Sequence, residues 1–432
     1  MTLGARIRNW GFWASDRAQG SPIRKHCEDI EARLAADTPA GDRLEALLRY
    51  AVEHAPFYGA YRGFNALQDF PVIDKASIKA QYEAFRSDEY PGDHLHIMRT
   101  SGSTGTPFAI LQDPDKRRRV LAEMICFGRR AGYEVGDRFV FTRIWNRHNR
   151  KKWHVALREN AIMFDISSLD ESRLEALSAL FRNNPGIQCM LGYPSTFDAL
   201  IRHMESKGDS LEIHHLQSII CISERLSEPL REALRSRFGC TVVSRYSNQE
   251  NGVLAQQCPD RDEFHLNTAS YVFEYLRLDE DRPADPGERA RLVVTDLFNR
   301  AMPLIRYDTG DVVLRQPFAA CGWTTETLGE VEGRQVDFLF DTQDRLLSPY
   351  VVCNHFWPFT NLKQFQVVQE ARGQYRLILN GAKGHYQDET FIELAKSFLG
   401  SDADISMEHV DRIPLLASGK FSMTVSRYRP QA

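Results

Sequence analysis

Helical and strand-like patterns alternate between residues 171 and 243, and this alternation constrains the fold more than any other feature of the chain. A helix is predicted where apolar residues recur every three or four positions, and a buried strand where turn residues bound a short apolar run. The predicted helices are Glu171–Arg182, Ser195–Ser206 and Pro229–Phe238, and the predicted strands are Cys189–Leu191, Ser218–Ile222 and Thr241–Val243. Such βα units are typical of mostly parallel sheets covered by helices.

The segments on either side extend this α/β pattern. Helices are predicted at 42–55 and 115–131, and strands at 108–111 and 139–142. Strands dominate from Phe264 to Leu314 and indicate an antiparallel or mixed, β-rich subdomain. After Leu339, the order strand, strand, helix, strand predicts a small α+β unit of about a hundred residues. We therefore expect an α/β fold with mixed or parallel sheets, a β-rich subdomain and a small C-terminal α+β domain.

Composition indicates a globular protein. Its 432 residues are 43% hydrophobic and 26% charged, enough for two or three domains with buried cores. The net charge of −4 gives no argument for nucleic acid or an anionic membrane as a partner. The eight cysteines are scattered, which favours a reducing compartment. No secretory signal and no run of about 18 apolar residues is recognisable, so we expect a cytoplasmic protein without a membrane span.

Five small residues in a row, Ser101 to Gly105, predict a loop that can bind phosphate groups. Glycine lets the backbone approach an anion closely, and consecutive N–H groups and hydroxyls then surround it. The P-loop pattern of nucleotide hydrolases requires Lys after its second glycine, but Thr106 stands there, so that class is disfavoured. A surface turn without a ligand is the alternative that this segment alone leaves open.

Further motifs follow the glycine-rich segment in a fixed order. They are Leu191–Ser195 (Leu-Gly-Tyr-Pro-Ser), Tyr246–Glu250 (Tyr-Ser-Asn-Gln-Glu), Tyr307–Asp311 (Tyr-Asp-Thr-Gly-Asp), Gly333–Asp337 (Gly-Arg-Gln-Val-Asp) and Ser418–Lys420 (Ser-Gly-Lys). With these motifs the sequence resembles the adenylate-forming superfamily, and most of all its phenylacetate–CoA ligase branch and that branch's relatives in capsule biosynthesis. The resemblance extends from Pro71 to Lys420.

The resemblance implies an enzyme that uses ATP and Mg²⁺ to convert a carboxylic acid, aromatic or small, into its acyl-adenylate. A thiol, coenzyme A by default, would then take the acyl group. It also implies an ATP- and acid-binding domain at 1–333 and a mobile lid at 334–432. Two alternatives stay open: transfer to an amine, a hydroxyl or a carrier protein, and a nucleotide-binding relative that has lost catalysis. A homodimer is also left open.

The resemblance assigns a role to individual residues. Lys420 would reach the α-phosphate as the catalytic cation, Glu250 would bind Mg²⁺, Tyr246 would stack on adenine and Asp311 would accept the ribose hydroxyls. The other expected nucleotide contacts are Ser101, Gly102, Ser103, Thr104, Gly105, Ser223, Glu224, Ser247, Asn248 and Arg334. Thr106 stands where the family commonly has Lys, so one phosphate cation is absent, and Ser247 and Gln249 replace the residues usual at the adenine and α-phosphate contacts.

The substrate acid is expected at Tyr193, Pro194 and Ser195, with a contribution from Trp145. Phe164–Ser167 is similar to the amine-binding motif of amino-acid-activating domains. We favour a structural role there, because Ser167 or Ser168 with Glu171 resembles a helix cap. The basic, tryptophan-containing stretch 143–153 is predicted to be a solvated loop, in preference to a mouth for an anionic substrate.

A zinc site is the last candidate. Cys258, His265 and Cys321 align with positions that form a zinc knot in some relatives. Structural zinc usually has four ligands, and Ala319 stands where some relatives have another cysteine, so we favour a chain without zinc.

Overall fold

The computed structural model describes residues 2–36, 41–90, 92–100, 108–145, 150–167, 170–208, 215–316, 326–334, 338–347, 349–356, 359, 362, 364–381, 387–414 and 422–428. The chain begins with three amphipathic helices: α1 Leu3–Ala18, α2 Pro22–Ala36 and α3 Gly41–His54. The last of them confirms the helix predicted at 42–55. After α4, Lys75–Ala80, a hairpin forms from β1, His96–Thr100, and β2, Phe108–Gln112.

The helices and strands predicted between residues 115 and 243 form, because apolar periodicity is local information, and an additional helix that was not predicted lies at 153–158. Its helices are α5 Pro114–Arg130, α6 Trp153–Arg158, α7 Glu171–Asn183, α8 Pro194–Ser206 and α9 Glu228–Phe238. Its strands are β3 Arg138–Arg143, β4 Ala161–Asp165, β5 Ile187–Gly192, β6 Ser218–Ile222 and β7 Thr241–Asn248. These strands pair in parallel in the order β4-β3-β5-β6-β7, which confirms the predicted parallel sheet.

The β-rich region continues this sheet. It consists of β8 Gly252–Gln257, β9 Phe264–Leu266, β10 Tyr271–Leu276, β11 Arg289–Asp296, β12 Tyr307–Arg315 and β13 Thr327–Arg334. Within the described residues, one eleven-stranded sheet has the order β10-β11-β12-β13-β9-β8-β7-β6-β5-β3-β4. Strand direction changes where β8 runs antiparallel to β7, so the turn between them joins the two halves.

The C-terminal region folds around its own core. It contains β14 Leu339–Phe340, β15 Leu346–Leu347, α10 Pro349–Phe356, β16 Gln364–Ala371, β17 Gln374–Asn380, α11 Asp388–Leu399, β18 Asp404–His409 and β19 Thr424–Ser426. The predicted order strand, strand, helix, strand is present in β16, β17, α11 and β18. Apolar residues of both helices and the sheet form a separate cluster that includes Val352, Leu377 and Phe391.

Two local predictions need correction. The cap of α7 is Asp170, whose carboxylate accepts a hydrogen bond from the backbone N–H of Arg173. Ser167, expected at the cap, instead donates to Asp165, since it lies too far from the helix. The strand predicted at 241–243 extends to Asn248, because its last residues pair with β8. No helix in the described part of the chain has the length and apolar character needed to cross a bilayer.

Candidate functional site

The carboxyl ends of four parallel strands meet at one edge of the sheet. Trp145 follows β3, Tyr193 follows β5, Ser223 and Glu224 follow β6, and Tyr246 lies near the end of β7. Ligands of open α/β sheets bind beyond these ends, most often where strand order or direction changes. The strand order therefore brings together predicted residues that are distant in the sequence.

Glu250 lies in the turn between β7 and β8 and is buried. Its Oε1 is 2.7 Å from Nζ of Lys75 and accepts a hydrogen bond of 3.2 Å from the hydroxyl of Tyr307. Asn248 closes the turn, because its Oδ1 accepts from the N–H of Asn251 at 2.8 Å. Buried polar groups need hydrogen-bond partners, and Lys75 and Tyr307 supply them to Glu250.

Tyr246 connects the parallel strands to the Tyr307–Asp311 motif. Its hydroxyl donates to Oδ2 of Asp311 at 2.6 Å. Burial, and next the charge of Asp311, raises the pKa of Tyr246 well above its usual value, so the hydroxyl remains a donor. Burial and Glu250 do the same for the pKa of Tyr307. Asp311 in β12 is the register partner of Arg334 in β13, so the two predicted ribose contacts are neighbours.

A buried polar network supports the Glu250 turn from below. Oε2 of Glu123 on α5 accepts from the N–H of Val253 at 3.0 Å, and the hydroxyl of Tyr271 lies 2.9 Å from the carbonyl oxygen of Asn251. That hydroxyl is also 3.0 Å from Oε1 of Glu123 and 3.1 Å from Nζ of Lys116. Gly252 lies over this network, where an added Cβ would be 2.5 Å from Oε2 of Glu123. The network therefore determines the position of the turn and requires glycine there.

The glycine-rich residues Ser101, Gly102, Ser103, Thr104 and Gly105 lie outside the described residues, as does Thr106. The hairpin that flanks them is described, with Thr100 as the register partner of Phe108. At its far end, Nε2 of Gln112 donates to the carbonyl oxygen of Glu250 at 3.0 Å. The hairpin that carries the segment is thus attached to the turn that carries Glu250.

The residues predicted to bind the acid lie around the start of α8. Oε2 of Glu224 accepts from the N–H of Ser195 at 3.0 Å, and Pro194 is the first residue of the helix. Tyr193 is buried, which raises the pKa of its hydroxyl, whereas nearby Arg143 opposes this rise. Ser223 has a positive φ of 67°, an uncommon backbone conformation that recurs at functional sites.

Trp145 is held by the Phe164–Ser167 segment. Its N–H donates to Oδ1 of Asp165 at 3.0 Å, and its indole Nε1 donates to the carbonyl oxygen of Phe164 at 3.2 Å. Asp165 also accepts from Ser167, and these hydrogen bonds lower its pKa against the effect of burial. The segment thus has the structural role that was predicted for it, although through Trp145 and not through a cap.

The remaining predicted site residues lie on β7 or β13, belong to the candidate zinc set, or fall outside the described part of the chain. Ser247 is exposed on β7. Lys420, Cys321 and Asp337 lie outside the described residues. Arg334 is described by its place in β13. Cys258 and His265 are buried, and burial lowers the pKa of His265 to about 4. Across the described ranges, no group of three or more His, Cys, Asp or Glu could hold a metal.

The donor set fits Mg²⁺ bound together with a nucleotide. Mg²⁺ in phosphate-transfer sites is bound through one or two carboxylates plus phosphate oxygens, in place of an all-protein cage. Glu250 supplies a carboxylate of this kind, and Lys75 beside it shows that the position accommodates a cation.

Sequence reasoning missed three contributors: Lys75, Tyr307 as a partner of Glu250, and Glu123. Tyr307 lies in the Tyr307–Asp311 motif, and Lys75 lies near the start of the resemblance that extends from Pro71 to Lys420, which was the available signal. Glu123 lies on a helix with ordinary periodicity, and nothing in its neighbourhood distinguishes it from a solvated residue.

Comparisons with known proteins find similar chains. A family described as "CapK C-terminal domain" matches residues 339–427. The phenylacetate-coenzyme A ligase of Thermus thermophilus is 26% identical over 322 residues, 69% of this chain and 70% of that protein. Protein CapK of Staphylococcus aureus is 22% identical over 410 residues, 90% of this chain and 88% of that protein.

A solved structure has the same fold over most of the chain. It is 2-hydroxyisobutyryl-CoA ligase in the postadenylation state, in complex with R3-HIB-AMP. The TM-score is 0.70 at 17% sequence identity, with 91% of this chain and 90% of that chain covered. The match supports the α/β fold with a C-terminal α+β region.

Proposed function

We propose that the chain, which is similar to phenylacetate–CoA ligases and to protein CapK, is an adenylate-forming enzyme that activates a carboxylic acid with ATP. A carboxylate oxygen attacks the α-phosphorus of ATP, and pyrophosphate leaves. The acyl group of the resulting acyl-adenylate then passes to a thiol, by default that of coenzyme A, and AMP leaves. An aromatic or other small acid is the expected substrate.

The observation that carries this proposal is the convergence of Glu250, Tyr246 and Asp311. Asp311 and Tyr246 are joined by a 2.6 Å hydrogen bond, and Tyr307, four residues before Asp311, contacts Glu250. A carboxylate suits the vicinal diol of ribose, since each hydroxyl can donate a charge-assisted hydrogen bond. Asp311 would thus orient the nucleoside, and Tyr246 would hold that carboxylate in place.

Glu250 and Lys75 are proposed to act on the triphosphate side of the nucleotide. Mg²⁺, when bound at Glu250, would neutralise the charge that the phosphates carry. Lys75 compensates the negative charge of Glu250 and lies where it could contact a phosphate oxygen. The Ser101–Gly105 segment would bind phosphates through its backbone, and Lys420 would approach the α-phosphate with the C-terminal region. The division at residues 1–333 and 334–432 remains part of this proposal.

We propose a thiol as the acceptor of the acyl group. The named CoA ligase covers about two thirds of this chain, whereas CapK covers nine tenths and the C-terminal region matches the CapK domain. In this superfamily the second half-reaction is separable from adenylation, so each can be assayed alone.

Exchange of labelled pyrophosphate into ATP tests the proposal directly. The full-length protein is assayed with a panel of aromatic and small aliphatic acids, first without an acceptor. We expect exchange with at least one acid, because adenylation is reversible and needs no thiol. Absence of exchange with every acid would contradict the proposal and favour a nucleotide-binding relative that has lost catalysis.

The acceptor is then identified with the active acid. Coenzyme A, a simple amine, an alcohol and a carrier-protein thiol are offered in turn, and the products are identified by mass spectrometry. We expect an acyl thioester with coenzyme A. Product with an amine or alcohol, and none with coenzyme A, would replace the thiol while leaving the adenylation intact.

A further inference from the structure

Large apolar side chains are exposed mainly on two helices, α1 and α6. In the described residues, seven large hydrophobic side chains are exposed, and five of them lie on these two helices: Leu3 (76% exposed), Ile7 (60%), Trp10 (74%), Trp153 (76%) and Leu157 (59%). Single exposed apolar residues are normal, but a concentration of this kind marks an interaction surface.

Helix α1 has two distinct faces. Leu3, Ile7 and Trp10 are spaced by four and three residues, so they form one stripe along the helix. The opposite face is packed against the protein: Ala5 and Asp16 are buried, and Asn9 donates to the carbonyl oxygen of Val135 at 2.9 Å. The apolar stripe is therefore directed away from the core.

One short turn holds both helices. Gly136 lies against α1 so closely that an added Cβ would be 2.4 Å from the carbonyl oxygen of Ala5. The carbonyl oxygen of the same Gly136 accepts a hydrogen bond of 2.9 Å from Nδ2 of Asn160, two residues after α6 ends. Both helices are therefore attached to the protein at the same turn.

Positive charge accompanies this surface. Helix α1 carries Arg6, Arg8 and Arg17, and its one acid, Asp16, is buried and accepts from the N–H groups of Ile23 and Arg24. Three cations, Arg150, Lys151 and Lys152, directly precede α6, and Arg158 is its last residue. Glu159, the acid that follows, is paired with Lys151. The chain as a whole has a net charge of −4, so this cationic region is a local feature.

We propose that α1 and α6 form a docking surface for an anionic lipid membrane. Helices that present Trp, Leu and Ile beside Arg and Lys bind the interface of anionic bilayers, where the rings lie at headgroup depth. A second copy of the chain fits less well, because a twofold contact through this surface would bring the same cations together. The proposed binding is peripheral, with both helices lying in the plane of the interface.

Vesicle flotation of the full-length protein tests this proposal. Vesicles of phosphatidylcholine alone are compared with vesicles that also contain phosphatidylglycerol, at low and at physiological salt. The variant Ile7→Gln/Trp10→Gln removes apolar side chains, and Arg6→Gln/Arg17→Gln removes charge. Met124→Gln, which changes an exposed apolar residue on α5, is the matched control. All five positions are outside the proposed catalytic site, so adenylation activity reports separately on folding.

We expect the wild type and Met124→Gln to float with anionic vesicles and to bind more weakly as salt rises. On anionic vesicles, Arg6→Gln/Arg17→Gln should bind about tenfold more weakly than the wild type, and Ile7→Gln/Trp10→Gln at least about tenfold more weakly. Three results would overturn the proposal: no binding to anionic vesicles, equal binding to both lipids, or variants that bind like the wild type. A dimer in sedimentation that Ile7→Gln/Trp10→Gln dissolves would instead assign the surface to a second copy.

Discussion

Glu250 is the residue on which the proposed chemistry depends most. Replacing it with Gln keeps its size but removes the charge that would bind Mg²⁺. We expect Glu250→Gln to lower pyrophosphate exchange by about 10²–10³-fold, as removal of one strong electrostatic group does in other active sites. The rate is measured over a range of Mg²⁺ concentrations. Glu83→Gln, at an exposed position, is the control.

A Glu250→Gln variant that exchanges at the wild-type rate would show that this carboxylate has no part in nucleotide activation. The tyrosine beside it gives a second reading of the same site. Tyr307→Phe removes the hydroxyl that donates a hydrogen bond to Glu250. We expect this variant to lower pyrophosphate exchange less than Glu250→Gln does, because the carboxylate itself is kept.

Lys75 is predicted to act on the nucleotide and not only on Glu250. Its Nζ is 2.7 Å from the carboxylate and about a third of its side chain is exposed, so it can reach a ligand. Lys75→Ala should raise the KM for ATP by about tenfold or more, since one phosphate cation is lost. Lys75→Arg should restore part of this affinity. Equal KM values in Lys75→Ala and the wild type would limit Lys75 to a structural ion pair.

At the scale of elements, the turn between β7 and β8 is the critical segment. Gly252 has a φ of +134°, and a Cβ there would meet Glu123 and the hydroxyl of Tyr271. We expect Gly252→Ala to lower the free energy of unfolding by about 2–4 kcal/mol and to lower pyrophosphate exchange, because strain and overpacking both displace the Glu250 turn. Denaturant unfolding and the exchange assay measure the two effects.

Gly208→Ala is the matched control for that variant. Gly208 also has a positive φ, of +64°, but no atom lies within 4 Å of the added Cβ. Only the backbone cost should remain, about 1 kcal/mol, with exchange unchanged. If Gly252→Ala behaved like Gly208→Ala, the packing assigned to the network beneath the turn would be wrong.

The attachment of the N-terminal helices depends on charge. Asp29 on α2 contacts Arg43 at 2.6 Å and the buried Arg119 of α5 at 2.6 Å. Burial opposes ionisation of Asp29, but hydrogen bonds from these two arginines prevail and lower its pKa to about 2. The ionised carboxylate is thus favoured in the folded state, and its stabilisation is present above the unfolded pKa of 3.8 and lost as pH falls towards 2.

We therefore expect Asp29→Asn to lower the free energy of unfolding by about 2 kcal/mol at pH 7. The difference from the wild type should stay constant from pH 8 to pH 5 and shrink to about half near pH 3. Urea unfolding across this range measures it. A difference that is already absent at pH 7 would contradict the assignment.

Sequence reasoning predicted the elements better than their contacts. Most helices and strands from Pro114 to Asn248 were predicted, because apolar periodicity is local, but α6 was not. Strands β8 and β9 were missed, since β9 is short and both depend on partners elsewhere in the sheet. Lys75 and Glu250 form an ion pair across a long stretch of chain, and no spacing pattern indicates such a pair. The motif order located the site, but only the strand order explains why Tyr246 meets Asp311.

On the scale of the whole molecule, the N-terminal nucleotide site and the C-terminal region are expected to act together in adenylation. Lys420 is expected to bring a cation from the C-terminal region to the α-phosphate. Lys420→Ala should lower pyrophosphate exchange at least about 100-fold while ATP affinity changes little, because the lysine acts in the transition state. Lys396→Ala on α11 is the control in the same region. An unchanged exchange rate in Lys420→Ala would remove this residue from the mechanism.

The central claim is that separate segments of the chain bind one nucleotide, and a crystal structure with Mg²⁺ and a non-hydrolysable ATP analogue tests it most directly. We predict that the ribose hydroxyls contact Asp311, that the metal contacts Glu250, and that the phosphates lie against Ser101–Gly105. A nucleotide bound elsewhere, or one that leaves Glu250 paired with Lys75 and Asp311 without contact, would contradict the account.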